Sequence, residues 1–274
     1  MIFRYDEFCQ ILENHLKTGD DYYLDLLMKI INYPERYSGI FRLSNIRSKL
    51  IQNLTQSREI KFGDILEELT TEYIARLGYQ NFDKNLGRDE NGDDLNVDQY
   101  FSDGTDLFLV EMKVRDDHDS SKKRGQFQNF QKKVHLVRQR HPDKHIEASM
   151  WFVDDTLIKN KNYYLEEMNK MQEKDVSLHL YYGGEFFDSL KGGKEAWDEL
   201  TSILRRYRVE HSSLDSDIQI PDFGSSSEIY QALLDLPDTY WKKLISDTPI
   251  YSQIREELFS SGDNLERAMK KRQQ

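Results

Sequence analysis

The stretch that decides the fold is LNVDQYFSDGTDLFLVEMKV, residues 95–114. Two runs that contain β-branched and aromatic residues, 95–101 and 106–114, flank the pair Asp103 and Gly104. An Asp-Gly pair between such runs is typical of a two-residue type I′ turn, in which both central residues have positive φ. The stretch therefore predicts a β-hairpin with a tight turn.

The predicted hairpin brings two carboxylates and a lysine to one face of the sheet. A two-residue turn would set Asp98 opposite Leu109. Because side chains alternate along a strand, Leu109, Glu111 and Lys113 share a face, and Asp98 lies on it diagonally to Glu111. Two converging carboxylates beside a lysine predict a metal site at the open end of the hairpin.

The spacing of these residues resembles a known signature. Asp98, then twelve residues, then Glu111, Met112 and Lys113 is similar to the Asp…(Asp/Glu)-x-Lys pattern of the PD-(D/E)XK nucleases. The predicted order of elements around the hairpin is also similar to the αβββαβ core of that superfamily. That order consists of a helix at residues 62–77 before the hairpin, a helix at 121–140 after it, and apolar strands at 146–153 and 176–182.

Two further blocks look like type II restriction endonucleases within that superfamily. They are NLTQSREIKFGDILEEL, residues 53–69, and RDDHDSSKKRGQFQNF, residues 115–130. The resemblance covers roughly residues 53–190 and implies an α/β (α+β) fold with a mixed central sheet flanked by helices. It also implies Mg²⁺-dependent, sequence-specific hydrolysis of double-stranded DNA that leaves 5′-phosphates.

The resemblance assigns roles to the hairpin residues. It implies that Asp98, Glu111 and the carbonyl of Met112 bind Mg²⁺, which prefers hard oxygen ligands. It further implies that Lys113 holds or deprotonates the attacking water and stabilises the charge of the transition state.

Two more residues enter the predicted site from the flanking helices. Gly63 and Glu67 match a Gly-x-x-x-Glu helix that often presents its glutamate to the metal in this superfamily, with Glu68 as the alternative. Gln126 and Phe130 resemble a Gln-x-x-x-aromatic helix whose glutamine lies beside the active site. The resemblance therefore adds Glu67 and Gln126 to the catalytic residues.

The charge distribution is compatible with this function although the net charge is −11. Residues 112–140 contain nine Lys or Arg and three Asp, and the start of the helix at 121–140 is rich in cations. Cations and free backbone N–H groups at a helix start favour a phosphate. We therefore predict that Lys122, Lys123, Arg124 and Gln126 contact DNA. By charge alone, a solvated protein surface is the alternative interpretation.

Composition limits the remaining possibilities. The single cysteine, Cys9, cannot form an internal disulfide, which fits a reducing compartment. We find neither a signal-peptide pattern at the start nor an apolar run long enough for a membrane span, and we expect a cytoplasmic protein.

The chain is expected to have three regions. They are an N-terminal helical region at residues 1–60, a nuclease core at 61–210, and a C-terminal helical region at 217–274, with a Ser/Asp-rich linker at 211–216. The sequence leaves open whether either helical region contacts DNA. The C-terminal region could also pair subunits or complete the core.

The resemblance also predicts partners. A palindromic target would suit a homodimer, with a monomeric enzyme as the alternative, and a restriction enzyme implies a cognate DNA methyltransferase encoded with it. The alternative functions are a repair or structure-specific nuclease with the same catalytic core, a non-catalytic DNA-binding module, or a structural α/β domain.

Overall fold

The structure is a computed structural model that describes residues 2–16, 22–39, 41–88, 92–210 and 221–273. Within these ranges the helices are α1 (Tyr5–Leu16), α2 (Tyr22–Asn32), α3 (Ile46–Arg76), α4 (Ser120–Arg140), α5 (Lys161–Lys170), α6 (Glu185–Asp188), α7 (Gly193–Glu210), α8 (Ser227–Asp235), α9 (Asp238–Leu244), α10 (Pro249–Leu258) and α11 (Asn264–Arg272). The strands are β1 (Gln80–Asn81), β2 (Asn85–Arg88), β3 (Asp94–Asn96), β4 (Gln99–Ser102), β5 (Leu107–Lys113), β6 (Ile146–Phe152) and β7 (Val176–Tyr182).

Five of these strands form the central sheet, in the order β1-β4-β5-β6-β7. The pairs β1/β4 and β4/β5 are antiparallel, whereas β5/β6 and β6/β7 are parallel. Helix α4 connects β5 to β6 and α5 connects β6 to β7, since parallel neighbours need a crossover connection. The mixed sheet and its helices confirm the fold class predicted from the sequence.

Buried apolar clusters cover both faces of the sheet. On one face, Leu109 of β5 lies in the same cluster as Phe130 of α4. On the other face, Val110 of β5 and Trp151 of β6 lie in a cluster with Leu69 of α3. Because both faces of β5 and β6 are buried, these strands read as nearly continuous apolar runs in the sequence.

The turn of the β4–β5 hairpin differs from the prediction. Ser102 pairs with Leu107, so four residues separate the paired ends where a two-residue turn was predicted. Gly104 has a φ of 100°, but Asp103 does not have positive φ. Instead, the Asp103 carboxylate accepts hydrogen bonds from the backbone N–H groups of Thr105 and Asp106, both at 2.8 Å. These bonds stabilise a longer loop than the type I′ turn.

The longer loop moves the register by two residues. Gln99 pairs with Val110, and the same register, continued by one residue, sets Asp98 opposite Glu111. The predicted pairing of Asp98 with Leu109 is therefore wrong. Because side chains alternate with a period of two, a shift of two residues leaves Asp98 and Glu111 on one face.

Polar strands before the hairpin were missed. The predicted single strand at residues 95–101 is interrupted, since β3 pairs with β2 in a separate two-stranded sheet and β4 pairs with β5. Residues 80–94, where the sequence predicts no strand, contain β1, β2 and the start of β3. Strand β2 buries one side chain, that of Leu86, so it lacks the apolar alternation that marks a strand.

Helix α3 is longer than predicted. The helix predicted at residues 62–77 begins at Ile46 and has 31 residues, because no proline interrupts it and a single Gly63 is tolerated. The helix ends at Arg76, one residue before the predicted end, and Gly78 terminates it: the φ of Gly78 is 95°, and the N–H of Tyr79 donates to the carbonyl of Ile74.

Contacts between residues divide the chain into two compact units. The first comprises Met1–Leu12 and Phe62–Glu210, and contains the central sheet. The second comprises Glu13–Lys61 and His211–Gln274, and its described residues share one helical apolar core. The predicted linker at residues 211–216 lies outside the described residues. In the part of the chain that the structure describes, no helix has the length and apolar character needed to cross a membrane.

Candidate active site

The candidate active site lies at the carboxyl end of β5 in the first unit. Glu111 and Lys113 are on β5, and Asp98 directly precedes β4 on the neighbouring strand. The Glu111 side chain is 7% exposed and that of Asp98 is 23% exposed. The sheet therefore holds two carboxylates together in a place that is largely shielded from water.

Three oxygen atoms converge on the ammonium of Lys113. Its Nζ donates to Glu111 Oε1 at 2.7 Å, to the Met112 carbonyl at 2.7 Å and to Asp98 Oδ2 at 3.2 Å. The N–H of Met112 also donates to Asp98 Oδ2 at 2.6 Å, which fixes that carboxylate against β5. The predicted metal ligands are thus arranged around a single positive charge.

The site changes the pKa values of its own groups. Burial, and after it the Glu111 carboxylate, raises the pKa of Asp98 to about 6, although Lys113 and Lys133 act in the opposite direction. Burial also lowers the pKa of Lys113, but Glu111 and Asp98 outweigh burial and raise it above 10.5. Lys113 is therefore an ammonium ion in the metal-free protein.

The donor set fits a hard divalent cation. Two carboxylates and a backbone carbonyl already surround one cationic group, and such oxygens are the ligands that Mg²⁺ and Ca²⁺ accept. Among the described residues, no group of three or more His, Cys, Asp or Glu side chains is arranged to hold a metal. The third protein ligand would therefore be the carbonyl of Met112.

Glu67 lies on the α3 side of this site. Its carboxylate accepts a hydrogen bond from Lys84 Nζ at 2.7 Å, and its charge contributes to the raised pKa of Asp98. The neighbouring Glu68 is exposed. Both glutamates line an open groove of about 420 Å³, and the charge of Glu67 acts on Asp98.

The predicted DNA-binding residues lie at the start of α4. Asp119 caps this helix by accepting from the N–H groups of Ser121 and Lys122, both at 2.9 Å. Lys122 and Arg124 are exposed, whereas the Lys123 ammonium lies over the Tyr163 ring, 4.5 Å from its centroid. Since α4 follows β5 directly, these cations are at the same end of the sheet as Glu111.

Gln126 contacts α5. Its amide oxygen accepts a hydrogen bond from the Tyr164 hydroxyl at 2.9 Å. The hydrogen bonds seen for Gln126 in the described part of the chain do not include Asp98 or Glu111. The structure therefore brings Asp98, Glu111 and Lys113 together, whereas Gln126 is hydrogen-bonded to Tyr164.

The sequence reasoning missed Lys133. Its Nζ donates to Glu111 Oε2 at 2.5 Å, and its side chain is 6% exposed. A signal was present, because Lys133 lies between Phe130 and Val134 in the apolar stripe of α4, where a lysine is unexpected. A lysine in that stripe needs a buried acidic partner, and the hairpin supplies it.

A comparison with known protein families identifies the family of the chain. A family model described as "Type II restriction endonuclease, HinfI" matches residues 4–89 and 77–208, which together cover about three quarters of the 274-residue chain. The chain belongs to this family. No curated protein matches the chain significantly.

Membership of the HinfI family confirms the resemblance found in the sequence. This HinfI-family protein is a type II restriction endonuclease, an enzyme that hydrolyses double-stranded DNA at specific sequences. Such enzymes bind duplex DNA and generally use a divalent metal ion. The match includes every residue of the candidate site, from Glu67 to Lys133.

Proposed function

We propose that this HinfI-family endonuclease cleaves DNA with Mg²⁺ held by Asp98, Glu111 and the Met112 carbonyl. The observation that carries the proposal is the convergence of these three oxygens on Lys113 Nζ, at 2.7–3.2 Å. When bound, Mg²⁺ neutralises negative charge on the scissile phosphate and polarises it for attack by water. Cleavage leaves 5′-phosphates.

Lys113 acts mainly as a hydrogen-bond donor in this proposal. The neighbouring carboxylates raise its pKa, so it carries a proton before the metal binds. A charged donor of this kind orients the attacking water and stabilises the charge that develops on the phosphate. This role fits Lys113 better than proton abstraction, which needs a neutral amine.

Residues of two helices complete the proposed site. Glu67 adds negative charge on the α3 side of Asp98, and Gln126 lies at the DNA-facing start of α4. The cations Lys122, Lys123 and Arg124 bind phosphates of the duplex, which positions the DNA without selecting its sequence. In this scheme residues 61–210 form the nuclease core, and residues 1–60 and 217–274 are helical additions to it.

The proposed biological setting is a restriction–modification system in the cytoplasm. The endonuclease acts as a homodimer whose two-fold axis coincides with that of a palindromic DNA site. A cognate methyltransferase protects the same site on the host DNA. Light scattering of the endonuclease with and without its DNA site tests the dimer.

Digestion of a sequenced plasmid tests the proposed reaction. We expect discrete fragments in Mg²⁺, with one shared sequence at their ends and 5′-phosphates, and no cleavage in EDTA. Glu111→Ala should abolish cleavage while DNA binding persists, because a lost metal ligand removes transition-state stabilisation more than ground-state binding.

The matched control for this experiment is Glu147→Ala. Glu147 is also a partly buried glutamate of the central sheet. It lies on β6 opposite Phe108, near the start of β5, whereas Glu111 lies near the end of β5. This variant should cut at the wild-type rate. Cleavage by Glu111→Ala at a comparable rate would remove Glu111 from the active site.

A further inference from the structure

Lys133 is buried beside the active site but does not belong to the Asp…Glu-x-Lys pattern. It lies on α4, and its ammonium is bonded to Glu111 Oε2 at 2.5 Å with 6% of its side chain exposed. Burial of a lysine is costly unless a charged partner compensates it. Glu111 provides that partner, so α4 and β5 are joined by an ion pair inside the protein.

The two oxygens of Glu111 have different partners. Oε1 bonds to Lys113, which also contacts Asp98 and the Met112 carbonyl. Oε2 bonds to Lys133, on the side of the carboxylate that faces α4. This division fixes the rotation of the carboxylate, because each oxygen is held by a separate cation.

We propose that Lys133 is a positioning residue for DNA cleavage. By holding Oε2 of Glu111, it directs Oε1 toward the point where Asp98 and the Met112 carbonyl converge. The inference rests on the proposed role of Glu111 as a metal ligand. It assigns Lys133 no contact with DNA or with the attacking water.

A purely structural role for Lys133 makes a different prediction. If the ion pair only anchors α4 to β5, a folded variant without the ammonium should cleave normally at saturating Mg²⁺. If Lys133 orients Glu111, the same variant should be slow even when it is folded and saturated. Partners that orient metal ligands typically contribute about 10- to 100-fold to metal affinity or activity.

The experiment compares three variants by single-turnover cleavage at saturating Mg²⁺, below their melting temperatures. Lys133→Met removes the charge and retains the length of the side chain, and we expect its rate to fall about 10- to 100-fold. Lys133→Arg retains a charged donor and should recover most of the loss. Lys132→Met, at the adjacent exposed position, should cut like the wild type.

Two measurements without cleavage accompany the rates. DNA binding in Ca²⁺, which accepts the same oxygen ligands, should be unchanged in Lys133→Met. In metal-free thermal melts, adding Glu111→Gln to Lys133→Met should recover much of the lost melting temperature, because the unpaired carboxylate is then neutral. This coupling between positions 133 and 111 can be measured from melting temperatures even if Lys133→Met is too unstable for cleavage assays.

Three results would overturn the inference. They are cleavage by folded Lys133→Met within about threefold of wild type, equal losses in the Met and Arg variants, and absence of coupling with Glu111→Gln in the melts. These failures differ from failure of the proposed function. If Glu111→Ala still cuts, Glu111 is not a ligand, whereas an inactive Glu111→Ala beside an active Lys133→Met rejects only the role of Lys133.

Discussion

Lys113 donates to Glu111 at 2.7 Å, because the two residues lie two positions apart on β5 and therefore share a face. The same ammonium contacts Asp98, so it lies between both carboxylates of the proposed metal site. A divalent cation that binds these oxygens must therefore compete with Lys113. In the absence of metal, Lys113 balances the charge that the metal would otherwise neutralise.

Lys113→Met should separate the charge-balancing role of Lys113 in the metal-free protein from its proposed catalytic role. Without metal, two largely buried carboxylates lose a shared donor, and we expect the free energy of unfolding to fall by about 1–3 kcal/mol. Mg²⁺ should restore the melting temperature of this variant more than it raises that of the wild type. Single-turnover cleavage should still fall about 100-fold or more, because a preorganised donor is missing. A folded variant that cuts within a few-fold of wild type would exclude a catalytic role for Lys113.

The pKa of Asp98 predicts how stability depends on pH. It rises from 3.8 to about 6 on folding, so between these values the folded protein holds a proton that the unfolded chain has released. The free energy of unfolding therefore falls as the pH rises from 3.8 to about 6. Above about pH 6, Asp98 is ionised in the folded protein and destabilises it by the full amount. The shift corresponds to about 3 kcal/mol.

Asp98→Asn provides the measurement. The variant cannot ionise, so its free energy of unfolding relative to wild type, measured by urea denaturation in EDTA, should increase from about pH 4 to about pH 7 and then level off. A difference that stays constant over this range would show that burial does not raise the pKa of Asp98.

Glu67 and Glu68 form a matched pair on α3. The charge of Glu67 acts on Asp98, and its carboxylate is bonded to Lys84, whereas Glu68 is exposed. We expect Glu67→Ala to slow single-turnover cleavage about 10-fold and Glu68→Ala to have little effect. The reverse order of effects would place Glu68 at the site.

The cations at the start of α4 should bind DNA without regard to sequence. Replacing Lys122, Lys123 and Arg124 with Gln should weaken binding to cognate and random duplexes alike. The slope of log K against log salt concentration should fall by about 0.9 for each lost phosphate contact. Lys123 should contribute least, since its ammonium already lies over the Tyr163 ring.

A control variant removes the same charge elsewhere in the first unit. Lys144, Lys170 and Lys174 precede β6 or β7, at the end of the sheet opposite Glu111. Their replacement with Gln should leave the salt slope unchanged. If the α4 variant loses affinity only for the cognate sequence, its residues read bases instead of phosphates.

The central hairpin illustrates how far local sequence rules extend. Alternation along a strand depends only on neighbouring residues, so it correctly places Asp98, Glu111 and Lys113 on one face. The register depends on the turn, where the Asp103 carboxylate binds backbone N–H groups and stabilises a longer loop. The error of two residues did not separate the carboxylates, because it equals one full period of the strand.

From the sequence alone, local periodicity placed Asp98, Glu111 and Lys113 on one face of a hairpin, and the resemblance of their spacing to the PD-(D/E)XK signature indicated the family and its α/β fold. Only the tertiary structure brought Lys133 to Glu111, since that contact exists only when α4 packs on β5, 22 positions away in the chain. The resemblance had already implied Glu67, but its electrostatic effect on Asp98 arises from the packing of α3 beside the sheet. Contacts between distant segments depend on how helices and strands pack, which no local pattern of residues encodes.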